Sequence, residues 1–171
     1  GLIPAILYGG KDPNQKISQE ILETIINSGA DIIEIGMPFS DPMADGTTIQ
    51  LSSIRAIQNN INLDSIFQIV GNIRSKNDKI PIILMGYYNL IFHYGIEKFA
   101  KTCEKVGIDG LIIVDLQPEE DSELYDAIEN KDISLIRLIT PNTTPKRLKI
   151  ITSHASGFLY YVTITGVTGE K

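Results

Sequence analysis

Ile33-Glu34-Ile35-Gly36-Met37-Pro38-Phe39-Ser40-Asp41-Pro42-Met43-Ala44-Asp45-Gly46 starts as an apolar strand and runs out into a loop. The strand, predicted over residues 32–36, carries one charge. Side chains alternate across a strand, so Ile32, Glu34 and Gly36 share one face, and Ile33 and Ile35 the other. A strand this apolar on both faces belongs to a parallel sheet covered by helices.

The flanking sequence repeats the same alternation. Upstream, residues 2–7 predict a strand. Ile17, Ile21, Leu22, Ile25 and Ile26 then recur at helical spacing after Asp12-Pro13, with Gly29 as the stop. Downstream, helical pieces over 49–57 and 63–73 flank Asn59-Asn60. Strands are predicted over 80–85, 111–114, 135–139 and 158–162. Helices over 96–106 and 119–129 separate them, and another opens at Thr144-Pro145, with Thr as N-cap and Pro in the first helical position. Residues 163–171 read as a loop. No linker or low-complexity tract divides the chain, so one domain is expected over 1–171.

Two architectures fit such a pattern: a doubly wound open sheet and a (β/α)-barrel. A doubly wound nucleotide binder usually shows a Gly-rich turn after its first strand. Gly9-Gly10-Lys11-Asp12-Pro13 is no G-x-G-x-x-G, and no Walker loop occurs. The barrel is the favoured reading. In a barrel the all-apolar face of Ile33 and Ile35 meets the outer helices, and Glu34 points into the interior near the C-terminal mouth, where barrel enzymes place their chemistry. A carboxylate there is partly desolvated, which raises its pKa and suits general acid–base work near neutral pH. A structural glutamate paired with a lysine or with backbone amides fits the same position. Asp45 sits in Ala44-Asp45-Gly46, which alone reads as a turn.

Composition narrows the class. The chain has 171 residues, 43% hydrophobic and 21% charged, which predicts a packed core rather than disorder. A formal net charge of −6 disfavours a nucleic-acid partner. The single cysteine, Cys103, excludes an internal disulfide, and its spacing with Ile96, Phe99 and Val106 predicts a buried small hydrophobe. No run approaches the ~18 apolar residues of a membrane span. No basic segment precedes Gly1-Leu2-Ile3-Pro4, so no signal peptide is expected and a cytoplasmic protein is. His93 and His154 stand apart from each other and from any ligand spacing; both are expected in loops or at the surface, and no metal is implied.

Residues 33–46 resemble the signature of the tryptophan synthase α-subunit family. The likeness continues through Thr48-Ile49-Gln50, Ile82-Ile83-Leu84-Met85, Asn89-Leu90-Ile91-Phe92, Gly95-Ile96, Gly110-Leu111-Ile112-Ile113-Val114-Asp115, Pro118-Glu119-Glu120 and Gly166-Val167-Thr168-Gly169. The resemblance implies a (β/α)8 barrel, of which this chain covers about six βα units. It implies a lyase that splits indole-3-glycerol phosphate into indole and glyceraldehyde 3-phosphate. Glu34 matches the family's acid–base glutamate and Asp45 its second carboxylate, which accepts from the indole N–H. Tyr160 matches a tyrosine beside the substrate. Thr168 matches a threonine of a mobile loop that closes on the second carboxylate, and Gly169 a glycine that binds phosphate through its backbone N–H. Met85, Ile112 and Leu138 fall at positions lining the indole pocket. No cofactor is implied on this chain; pyridoxal phosphate belongs to the partner β subunit, expected in an α2β2 assembly.

Several positions depart from the family pattern. Ala5 stands where a large aromatic is usual, and the loop over 8–13 is longer than the common Gly-Asp-Pro turn. Gln117 replaces a proline and Ile164 a polar residue. With six predicted strands, and neither the family's N-terminal helix nor the loops after strands seven and eight, an incomplete barrel is expected. That leaves a second function open: a non-catalytic fragment or docking chain that only binds or activates the β subunit.

Overall fold

The computed structural model describes residues 3–7 and 15–163. Strands β1 (Ala5–Leu7), β2 (Ile33–Gly36), β3 (Ile82–Gly86), β4 (Gly110–Ile113) and β5 (Ser134–Leu135) form one sheet in that order, each pair parallel. Strands β6 (Arg137–Ile139) and β7 (Leu159–Tyr161) form a second parallel ladder. The helices are α1 (Gln15–Asn27), α2 (Thr47–Gln58), α3 (Leu63–Arg74), α4 (Tyr88–Tyr94), α5 (Ile96–Val106), α6 (Ser122–Ile128) and α7 (Pro145–Ile151). A doubly wound sheet reverses its strand order at a switch point. Here every new strand joins beside the last, which is barrel order.

Apolar side chains form two layers. Ile33, Ile35, Ile82, Leu84 and Leu111 meet Leu22, Ile66, Phe99 and Leu124 of the helices, all fully buried. On the other face Ile83, Ile112 and Ile136 form a separate cluster with Ile32, Met85, Leu138 and Tyr160 packed on it. The second layer is the barrel interior. Cys103 lies wholly inside the first layer, as its helical spacing predicts, and burial pushes its thiol pKa up.

Three elements differ from the sequence reading. The strand expected over 135–139 is one extended segment with two ladders. Ser134 and Leu135 pair with β4, the Ile136 N–H still donates to the Leu111 carbonyl at 2.9 Å, and Arg137 onward pairs with β7. The segment has β4 along one edge and β7 along the other, and the stagger of barrel strands offsets the two ladders along its length. The helix expected over 119–129 breaks at Asp121, after a 3-10 turn at Pro118–Glu120. The Asp121 side chain turns inward, where it pairs with Arg137 and lies 2.9 Å from His154 Nδ1. His154 is therefore no isolated surface histidine: it is half-buried and stacks on Tyr125 with ring centroids 4.0 Å apart. Helix α4 was not expected at all. It is short and rich in residues of middling helix propensity, and Gly95, at φ 91°, cuts it from α5.

Candidate active site

Strand parity builds the site. Ile33 and Ile35 seat β2 against the helices, which turns Glu34 to the interior face. Glu34 pairs in register with Ile83 of β3 on one side and with Ala5 of β1 on the other. Gly36 stands level with Met85, and Met85 with Ile112; Leu138 stands level with Tyr160. Parallel register puts paired residues on the same face, so Met85, Ile112, Leu138 and Tyr160 share the interior with Glu34.

That environment sets the electrostatics. Glu34 is 2% exposed, and its Oε1 is buried with no hydrogen-bond partner among the described residues. Desolvation disfavours the charged form and raises the carboxyl pKa above its ordinary value. Burial also raises the pKa of the Tyr160 phenol, and the Glu34 charge adds to the shift. The coupling puts the tyrosine within electrostatic reach of the glutamate. Among the described residues no lysine or amide meets that oxygen, and the neighbour in register on β3 is the apolar Ile83.

Asp45 lies on the loop between β2 and α2, half-buried. Two side-chain donors hold it, beside the bond from its own N–H to the Pro42 carbonyl at 3.1 Å. Gln50 Nε2 donates to its carbonyl at 2.7 Å, and the Tyr87 hydroxyl donates to its Oδ2 at 3.1 Å. Burial raises the Asp45 pKa, and the tyrosine bond pulls it back. Tyr87 was absent from the residues singled out in the sequence. A tyrosine at a strand end looks like packing, and only the fold brings it to the loop 42 residues earlier. Asp115, at the end of β4, accepts from the Tyr88 N–H at 2.8 Å and ties β4 to the start of α4.

A cleft of about 450 Å3 lies over this edge, lined by Phe39, Asp41, Met43, Tyr87, Asn89 and Asp115 among others. Gln117, the departure from proline, has a partner of its own: its Oε1 accepts from Arg147 Nη2 at 2.7 Å, and Arg147 also pairs with Glu119. Thr168, Gly169 and Ile164 lie outside the described residues, as does the loop over 8–13. No group of three or more histidine, cysteine or carboxylate side chains suited to a metal ion occurs among the described residues, and no helix among them is long and apolar enough to cross a membrane.

Solved structures share this fold. Tryptophan synthase subunit alpha from Legionella pneumophila str. Paris is 38% identical with a TM-score of 0.89, over 95% of this chain and 61% of that one. Mycobacterium tuberculosis tryptophan synthase is 32% identical at a TM-score of 0.88, over 99% and 64%. The tryptophan synthase α2β2 complex of the hyperthermophile Pyrococcus furiosus is 37% identical at 0.84, over 94% and 67%. The chain thus spans less than two thirds of the Legionella and Mycobacterium chains. A family model for the tryptophan synthase alpha chain matches residues 1–171. With its sequential parallel strands, its interior glutamate and these likenesses, the chain belongs to the tryptophan synthase alpha chain family.

Proposed function

We propose that this chain carries out the α reaction: retro-aldol cleavage of indole-3-glycerol phosphate to indole and glyceraldehyde 3-phosphate, one step of tryptophan biosynthesis. The observation that carries the reading is Glu34, a carboxylate buried on the apolar interior face with one oxygen unpartnered among the described residues. In the reaction Glu34 gives a proton to indole C3, which makes an indolenine. It then takes the proton of the side-chain hydroxyl, the C3–C bond breaks, its electrons return to the ring, and the hydroxyl carbon leaves as an aldehyde. A carboxyl with a raised pKa holds both protonation states within reach near neutral pH. Asp45 accepts from the indole N–H and stabilises the positive charge that grows there. Met85, Ile112, Leu138 and Tyr160 form the wall against which a flat indole packs. Thr168 and Gly169 are assigned to loop closure and phosphate binding by their match to the family motif.

The same reading supplies a partner, a β subunit that receives the indole and holds the pyridoxal phosphate, with a cytoplasmic location for both. Contacts are assigned to the loop over 38–44 and the surroundings of Asp115, where Met43 is 82% and Phe92 60% exposed.

Glu34→Gln tests the reaction. It keeps the shape and removes the titration. The variant should fold and lose essentially all release of indole from indole-3-glycerol phosphate. Turnover within about tenfold of the parent would remove Glu34 from the acid–base role.

A further inference from the structure

We infer that Tyr87 is the positioning residue of Asp45, its hydroxyl holding one carboxylate oxygen and the preceding backbone amide so that the other oxygen meets the ligand. The inference rests on the reading of Asp45 as the carboxylate that serves the indole nitrogen.

The tyrosine is anchored before it reaches the loop. The Met37 N–H donates to the Met85 carbonyl at 2.8 Å, and the Val114 N–H to the Gly86 carbonyl at 3.0 Å. The end of β3 is thereby fixed between β2 and β4. At Gly86 even a Cβ would stand 2.7 Å from Met37 Cε and 3.0 Å from Met37 Cβ, so the two strand ends are in close contact there. The Tyr87 ring packs on Phe39, with centroids 5.1 Å apart, and is 5% exposed. A ring held on these sides leaves its hydroxyl one place to be.

At that place the hydroxyl does two things. It accepts from the Ala44 N–H at 2.9 Å and donates to Asp45 Oδ2 at 3.1 Å. A hydroxyl has one proton, and the amide contact uses an acceptor site, so the proton goes to the carboxylate. Burial and the charges of Asp45 and Asp115 push the phenol pKa up to about 12, so it remains a donor across the working pH range. A carboxylate has a second oxygen to offer, and Gln50 pins the Asp45 backbone from the other side. Charge on the indole nitrogen develops mainly in the transition state, so misaiming Asp45 affects the chemical step more than binding.

Tyr87→Phe in the full chain, assayed with its β partner present, tests this against Asp45→Asn. Loss of a hydrogen bond to a charged group should lower kcat about ten- to hundredfold, with KM within about threefold. The bond lowers the Asp45 pKa, so its loss raises that pKa, and the acid limb of kcat/KM should move to higher pH. An unchanged rate and limb beside an inactive Asp45→Asn would overturn the inference alone. A raised KM at constant kcat would also overturn it. An active Asp45→Asn would instead overturn the reading of Asp45. If Tyr87→Phe does not fold, 3-fluorotyrosine at position 87 keeps the ring and makes a stronger donor. The acid limb should then move to lower pH, and a limb that stays put would refute the positioning role.

Discussion

At the scale of single residues, the interior glutamate exacts a stability that depends on pH. Its folded pKa lies above the ordinary 4.5 because burial disfavours the charge. A raised carboxyl pKa means that the folded state binds the proton more tightly than the unfolded chain. The stability from this group is complete below the unfolded value and is lost as pH rises through the folded one. Glu34→Gln has no such titration. Its stability relative to the parent should therefore rise from about pH 4.5 upward and level off above the folded pKa. Urea midpoints measured across that range decide it, and a constant difference would mean that Glu34 is solvated. The interior placement of Glu34 was legible in the sequence because strand parity sets its face, while parity alone left a structural and an acid–base role both open. Tyr87 was not legible, because a tyrosine at a strand end carries no local mark of the loop it will meet.

At the scale of elements, the helices and strands with strong periodicity were legible. Helix α5 runs Ile96–Val106 as its apolar spacing predicts, and Thr144 caps α7 by accepting from the Arg147 N–H at 3.2 Å. Apart from the short α4, what failed were features set by contacts remote in sequence. The break before α6 exists because Asp121 is drawn to Arg137, sixteen residues on. Arg137 is buried, its Nη1 donates to the Leu116 carbonyl at 2.8 Å, and its Nε is unpartnered among the described residues. Removing the carboxylate leaves a buried cation without its ion-pair partner, with only the exposed Glu119 acting on it from farther off. Asp121→Ala should lower unfolding free energy by about 3–5 kcal/mol, the usual penalty for breaking a buried pair from one side. A loss under about 1 kcal/mol in urea unfolding would show that water reaches the guanidinium. The expectation that His154 is isolated failed for the same reason, since its partner Asp121 lies 33 residues earlier.

At the scale of the whole molecule, the alternation of strands and helices made a parallel α/β sheet legible, and the missing Gly-rich turn favoured the barrel. The sequential strand order became visible only in the fold. The proposed partner surface rests on family likeness alone. Met43 and Phe92 give it an apolar character that no strand or helix of the described residues covers. Met43→Asp should weaken co-elution with a cognate β subunit at least about tenfold, the effect of placing a charge in an apolar contact, while the melting temperature of the lone chain stays put. Undiminished co-elution would place the contact elsewhere. A last consequence follows from Cys103, the only thiol in the chain and fully enclosed between α5 and the sheet. A thiol reagent cannot reach it while α5 is seated, and the shielded thiol yields little reactive thiolate. Labelling then proceeds only when that helix lifts away, so the rate of modification becomes a clock for breathing of the barrel wall. Run with and without ligand, it times how far an occupied pocket quiets the wall behind it.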